Sequence, residues 1–256
     1  MNTNTRKVYL RHSILAAVLT AIPVMPSVLA QTVGPPQGPA APLQQILRAH
    51  HAWTTPPASV QITGTLTRDK VTEPVKITAT RQEEALVESG TAKRVATTSV
   101  HFEDKQGKVT PLPTLSGFTQ LDATSLFFLA QMAARPVTVA PAVPAVTPGG
   151  PGQRIRVRSN RTEMHYGKIG VADEVDLYVG PGGLLTGLSR SFYESAPRFK
   201  FSHAYAFSDY KETNGILLPY RIERYLKGRK VETIVVTSYE FDVPAAPTLF
   251  SPGGRR

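Results

Sequence analysis

The chain has 256 residues, a formal net charge of +10 and no cysteine. The length sets a prior of about one domain, and the missing cysteines exclude disulfides, thiolate metal sites and a lipid-modified N-terminal cysteine. The basic balance suits a surface that meets anionic lipid, cell wall or acidic partners, while cations scattered along the chain argue against a nucleic-acid partner.

Residues 1–30 read as a signal peptide. Arg6, Lys7 and Arg11 form a basic start, Ile14 to Leu29 is mostly apolar, and Val28-Leu29-Ala30 predicts cleavage after Ala30. The apolar run is short for a membrane span and holds Pro23 and Pro26, although an uncleaved anchor fits the same pattern. The expected compartment is the periplasm. Residues 31–42 form a Pro/Gly/Ala linker expected to be disordered, and residues 43–252 form the domain.

Pro42 suits the first position of a helix over LQQILRAHHAW. Leu43, Ile46, Leu47, His50 and Trp53 share one face of it, and Pro56-Pro57 end it. In SVQITGTLTR, Val60, Ile62 and Leu66 alternate with Gln61, Thr63, Thr65 and Thr67, so a strand is predicted, with Val75, Ile77 and Ala79 on its partner. Residues 86–110 carry weaker strand patterns, with turns at Gly90 and Gly107.

A second helix is predicted over 119–134, with Thr119 and Asp122 as a capping-type start. Phe118, Leu121, Phe128, Leu129 and Met132 gather on one face, Phe127 points almost opposite, and Leu126 lies between. A helix apolar all round is either sandwiched between layers or shared with a ligand. Residues 135–152, rich in Pro, Ala, Val and Gly, are expected to form a flexible insertion.

Strands follow at RIRVRS, EVDLYVG and LLTGLSRSFY, with Pro181-Gly182-Gly183 as a turn. Phe199, Phe201, His203, Tyr205 and Phe207 then place five rings on one face of the next strand. Asn214-Gly215 predicts a hairpin into ILLPYRIERYL, and Gly228 leads into VETIVVTSYEF. The chain therefore predicts an α+β domain: a curled antiparallel sheet or incomplete β-barrel of about 9–11 strands, with helices covering its concave face.

Signals for chemistry are sparse. His50 and His51 point about 100° apart on a helix and share no metal. His50 and His203 suit packed histidines, the latter also a ligand head-group contact. His101, His165, Asp104, Asp173, Asp176 and Asp209 show no catalytic spacing, and no nucleophile elbow, zinc helix, phosphate loop or dinucleotide fingerprint occurs. Arg221 and Arg224 fit either an anionic head group or Arg-Glu cross-strand pairs.

The stretch DYKETNGILLPYRIERYLKGRKVETIVVTSYEFDVPAAPTLFSP resembles the end of proteins in the LolA/LolB-like periplasmic lipoprotein-carrier superfamily. The elements that carry the likeness are Asn214-Gly215, the Leu218-Pro219 step with Arg221 after it, Tyr239-Glu240-Phe241-Asp242 and Phe250-Ser251-Pro252. LYVGPGGLLTGLSR and the LQQILRAHHA helix are similar to further parts of that pattern. The resemblance implies an incomplete barrel whose apolar concave face is plugged by helices and, in the carriers, holds acyl chains.

Together these readings predict a non-catalytic, cofactor-free, monomeric carrier of a lipidated or hydrophobic ligand. An anionic membrane surface is a second partner. The expected ligand-binding residues are Leu121, Leu126, Phe127, Phe128, Leu129, Met132, Phe199, Phe201, Tyr205, Phe207, Tyr220 and Ile222. The alternative is an RseB-like envelope sensor or interaction module whose interior is filled by its own helix. A weaker third reading, an envelope hydrolase, needs a nucleophile or carboxylate pair assembled in the cleft.

Overall fold

The computed structural model describes residues 41–81, 84–90, 92–96, 100–103, 109–112, 125–133, 137–159, 164–165, 168–169, 174–193 and 200–250. The expected signal peptide and all but the last two residues of the linker lie outside them. Those two, Ala41 and Pro42, already belong to the first helix, α1 (Ala41–Ala49). Proline there needs no N–H donor and brings a helical φ.

The N-terminal half supplies β1 (Ser59–Arg68), β2 (Val71–Thr80), β3 (Ala85–Ser89), β4 (Ala92–Ala96), β5 (Val100–Glu103) and β6 (Val109–Leu112), then helix α2 (Ser125–Ala133). The C-terminal half supplies β7 (Val137–Val139), β8 (Val143–Thr147), β9 (Gly150–Ser159), β10 (Met164–His165), β11 (Lys168–Ile169), β12 (Glu174–Val179), β13 (Leu185–Tyr193), β14 (Lys200–Thr213), β15 (Ile216–Leu226) and β16 (Arg229–Phe241). Among the described residues, fourteen strands form one sheet in the order β6-β5-β4-β3-β2-β1-β16-β15-β14-β13-β12-β9-β7, with β8 also on β9. Among the described residues every pairing is antiparallel and none joins β6 to β7, so the sheet is open. The curled α+β architecture expected from the sequence is what forms.

The weaker strand patterns of residues 86–110 resolve into four short strands, β3 to β6. One detail differs from expectation. The Pro/Ala-rich segment 135–152 is not a featureless excursion: β7 and β8 lie successively along β9. Val137, Val139, Val143 and Val146 favour extended backbone. Pro144 is tolerated because β8 pairs on one side only, where the missing N–H interrupts no second ladder.

Turn chemistry sets the register of the C-terminal meander. Asn214 and Gly215 both have positive φ (51° and 78°), as do Lys227 and Gly228 (50° and 76°). Two such residues twist a two-residue hairpin with the strands it joins. Side chains then alternate across the sheet. One face collects Val60, Ile62 and Leu66 of β1, Val75, Ile77 and Ala79 of β2, Ile155 and Val157 of β9, Val175 and Leu177 of β12, Leu188 of β13, Tyr205 and Phe207 of β14 and Ile222 of β15, all buried. These residues form one core cluster with Leu43, Ile46 and Leu47 of α1 and with α2. Both helices therefore cover the same face.

Candidate functional site

α2 is the unusual element of that core. Leu126, Phe127, Leu129, Ala130, Gln131, Met132 and Ala133 are all buried, and Phe128 is half-buried. These positions go right round a helix, whereas a surface helix buries one stripe. On one side the Phe127 ring meets Trp53 edge-on at 6.4 Å, and Trp53 in turn meets Phe241 at 5.1 Å. On another, the Phe128 ring lies under the Arg190 guanidinium of β13, 4.4 Å from centroid to charge. α2 thus occupies the trough as a core element.

One end of the trough is closed by α1. Ala52 N donates to Leu47 O and His51 N to Arg48 O, the paired bonds of a Schellman C-cap. His51, at φ 51°, takes the left-handed position usually given to glycine. This cap directs His50 into a gap in the sheet. β15 follows β16 only over Arg221–Leu226, while residues 236–241 of β16 pair with β1 instead. In the gap, Leu217 N donates to His50 O (2.9 Å) and the imidazole Nδ1 lies 2.7 Å from Leu217 O. Leu185 N donates to Nε2 at 2.8 Å. An N–H donor into Nε2 requires that nitrogen to be bare, so the proton sits on Nδ1 and the ring is neutral. Burial pushes its pKa down, against the smaller upward pull of the Leu217 bond, with His51 adding to the depression. The Tyr210 ring packs against the imidazole at 5.4 Å, and the Tyr210 hydroxyl donates to Leu185 O.

The opposite end is polar. Successive cross-sheet rows of the inner face hold Phe207–Ile222–Ile234–Leu66, then Leu188–Tyr205–Arg224–Glu232–Arg68, then Val157–Val175–Arg190–His203–Leu226. Arg190 is only 1% exposed and His203 is buried beside it. Glu232 accepts from Arg224 Nε at 2.5 Å and from Arg68 Nε at 2.7 Å. Burial pushes the Glu232 carboxyl up, but the Arg224 and Arg68 guanidiniums outweigh it and hold the pKa below its ordinary value. For His203, burial and then the Arg224 charge push the pKa down, against a smaller upward pull from Glu232.

Most of the expected ligand-contacting residues meet in this core. Leu126, Phe127, Leu129, Met132, Tyr205, Phe207 and Ile222 are buried in the one cluster, with Phe128 and Tyr220 packed against it. Leu121 and Phe199 lie outside the described residues; Phe201 sits on β14 opposite Phe192 in register. Of the two candidate anion-binding arginines, Arg221 points to the outer face. There it pairs with Glu223 at 2.8 Å, which also takes Tyr225 and Lys230. Arg224 faces inward. Arg224 makes the expected cross-strand pair, with Glu232 of β16, whereas the partner of Arg221 lies two residues along its own strand. His50 is the packed histidine expected. Asp176 binds exposed Arg156 (2.7 Å), and Asp209 takes a positive φ of 55° within β14. His101 lies on β5 and His165 on β10, while Asp104 and Asp173 are outside the described residues. Sequence reasoning passed over Arg190. Its signal was the alternation of Leu188 and Arg190, which puts both on the face that β13 buries.

Among the described residues no three His, Asp or Glu side chains converge as metal ligands, and no helix is long and apolar enough to cross a membrane. No protein-family model matches the chain, and no curated protein matches it by sequence. Solved structures do match. A DUF1329 family protein from Desulfovibrio piger superposes with a TM-score of 0.52 at 12% identity, over 84% of this chain and 98% of that one. A LolA superfamily protein from Nitrosomonas europaea does so with a TM-score of 0.50 at 10% identity, over the same shares. At such identities the likeness is one of fold: the chain has the LolA-like open barrel.

Proposed function

We propose that this protein is a periplasmic, non-catalytic carrier or binding protein for a lipidated or hydrophobic ligand. The ligand takes the place of α2 against the inner sheet face. The observation that carries the reading is the burial of α2 on all sides in a trough whose sheet wall is aliphatic and aromatic. The LolA-like fold supports it, as does the signal-peptide pattern of residues 1–30. Exchange of helix for acyl chain is close to balanced. Burying a large apolar side chain contributes about 1.5–3 kcal/mol, and burying a methylene about 0.8. The five large side chains from Leu126 to Met132 are therefore matched by roughly nine to nineteen methylenes. In this reading Leu126, Phe127, Phe128, Leu129 and Met132 leave the trough. Tyr205, Phe207, Tyr220 and Ile222 remain as its wall.

The chain has a single tryptophan, and it touches Phe127. Displacement of α2 must therefore change Trp53 emission. The test is native mass spectrometry of protein purified from its own envelope, with titration of an acyl probe followed at Trp53. Bound lipid, or micromolar probe binding with a red shift, is expected. A chain that carries no lipid and leaves Trp53 unchanged at saturating probe refutes the reading.

A second reading draws on the same packing. Phe127 and its neighbours already satisfy the core, so a sensor or interaction module with α2 permanently in place is physically complete. Crosslinking in the envelope that recovers one protein partner, with no ligand in the protein, favours it.

A further inference from the structure

Among the described residues, the hydrogen bonds that join α1 to the sheet all run through His50. Where β15 parts from β16, His50 takes the place of a neighbouring strand: its carbonyl accepts from Leu217 N, and its Nδ1–H donates to Leu217 O. The same ring reaches β13, because Nε2 accepts from Leu185 N. Two residues on, Pro219 has no N–H, and its carbonyl takes the Tyr239 hydroxyl. One histidine and one tyrosine thus complete the β15 edge from Leu217 to Pro219.

This join works in one protonation state. A proton added at Nε2 would set two donors against each other across 2.8 Å. The surroundings do little for an imidazolium. α1 contributes Arg48 and His51, both cationic or able to become so and both exposed. β14 contributes Tyr210, whose ring lies against the imidazole and whose hydroxyl donates to Leu185 O, followed by exposed Lys211 and Glu212. β16 contributes Tyr239, whose hydroxyl donates to Pro219 O. β13 and β15 meet the ring with backbone. Glu212 stands opposite Leu217 in register, yet the ring's bonds among the described residues are to Leu217 and Leu185. A buried cation without a carboxylate is costly, so the docked ring stays neutral. The depression of its pKa by burial agrees.

We infer that His50 makes the docking of α1 pH-sensitive: acid releases α1 and the Trp53 segment from the split between β15 and β16 while the sheet itself stays folded. Release can be local. α1 has nine residues, no strand pairing runs through it, and so short a helix is held by what it docks on. The released ring takes its proton near the ordinary value of about 6.5, whereas the docked ring resists it. Each pH unit below that value therefore multiplies the released population by up to about tenfold. Trp53 then leaves Phe127 and Phe241, and the α1 end of the trough opens. The device goes beyond the carrier reading and operates whether or not the trough takes a ligand.

The test is amide hydrogen exchange of the full chain, read by NMR at pH 7.5 and 5.5 and expressed as protection factors. Protection at Leu185 and Leu217 should fall about tenfold between the two. Ile62 and Ile77, paired in the middle of the sheet, should stay better protected at both. His50→Gln, which donates and accepts but takes no proton, should hold protection at Leu185 and Leu217 within about twofold across the same range. If that variant does not fold, the wild-type imidazole nitrogens decide. The ring should show the Nδ1–H tautomer at pH 7.5, and its protonation should track the loss of protection. Equal protection at Leu185, Leu217 and Ile62 would mean that α1 leaves only when the whole domain unfolds, which overturns the inference. A ring that titrates with Leu185 still protected overturns it too, as does a glutamine variant with the wild-type pH dependence.

Discussion

His50 is where one substitution tests most of the architecture, because its ring and backbone join α1 to β13 and β15 at once. Replacing it by alanine strips a buried N–H, that of Leu185, of its acceptor, at about 1–3 kcal/mol. The bond to Leu217 O is lost at about 0.5–1.5 kcal/mol, and the face shared with Tyr210 at a similar amount. The sum is about 2–6 kcal/mol, a large share of an ordinary domain's stability. Urea unfolding at pH 8, followed by Trp53 fluorescence, measures it. The pH dependence has a definite sign. The folded-state pKa is depressed, chiefly by burial, so the unfolded chain takes the proton first. The stabilisation is complete above the ordinary histidine pKa near 6.5 and is lost as pH falls below that toward the folded value. While only the unfolded state titrates, the slope reaches about 1.4 kcal/mol per pH unit for each such histidine. His203, also depressed, adds in the same direction. His50→Gln keeps a donor and an acceptor but cannot titrate here. It should cost less than His50→Ala and flatten the slope between pH 7 and 5.5 without abolishing it. A glutamine variant as pH-sensitive as wild type, or an alanine variant within 1 kcal/mol of it, would refute the clamp.

The other predictions concern the plug and the sheet. Phe127→Ala should lower stability by about 3–5 kcal/mol in urea unfolding, as removal of a buried phenylalanine does, yet raise acyl-probe affinity by tenfold or more, since each 1.4 kcal/mol taken from a competing helix is about a factor of ten. Lower stability with unchanged or weaker probe binding would mean that α2 is plain core. Gly64→Val should prevent folding, because a Cβ at Gly64 would sit 2.2 Å from the backbone oxygen of Val235 at the β1–β16 bulge; circular dichroism of the purified variant checks it.

Local order was readable because it is written in local pattern. The alternation in SVQITGTLTR sets which residues of β1 are buried, and Asn-Gly sets the β14–β15 hairpin. The fate of 137–147 was not readable from composition. Proline and alanine lower the strand signal at each position, and the pairing that rescues these residues comes from β9, whose Ile155 and Val157 anchor it in the core. A neighbour in space supplied what the residues' own propensity did not.

The site divides along the same line. Residues of α2 announce themselves, since Leu126, Phe127 and Phe128 in succession leave no side of a helix polar. Arg190 and His50 do not, because their roles depend on partners far along the chain: His203 and Phe128 for one, Leu185 and Leu217 for the other. Both are polar groups placed by register rather than by propensity. A polar side chain at an inward position of a strand is a local conflict with the core it faces, and such conflicts are where function is to be sought. By that argument His50 and Arg190 differ in kind. Every polar atom of the His50 ring is accounted for by the backbone it joins, so its conflict is resolved by folding. Arg190 is placed instead among side chains, with the Phe128 ring of α2 on its guanidinium face and His203 across the strand pair, so its setting depends on α2 staying where it is.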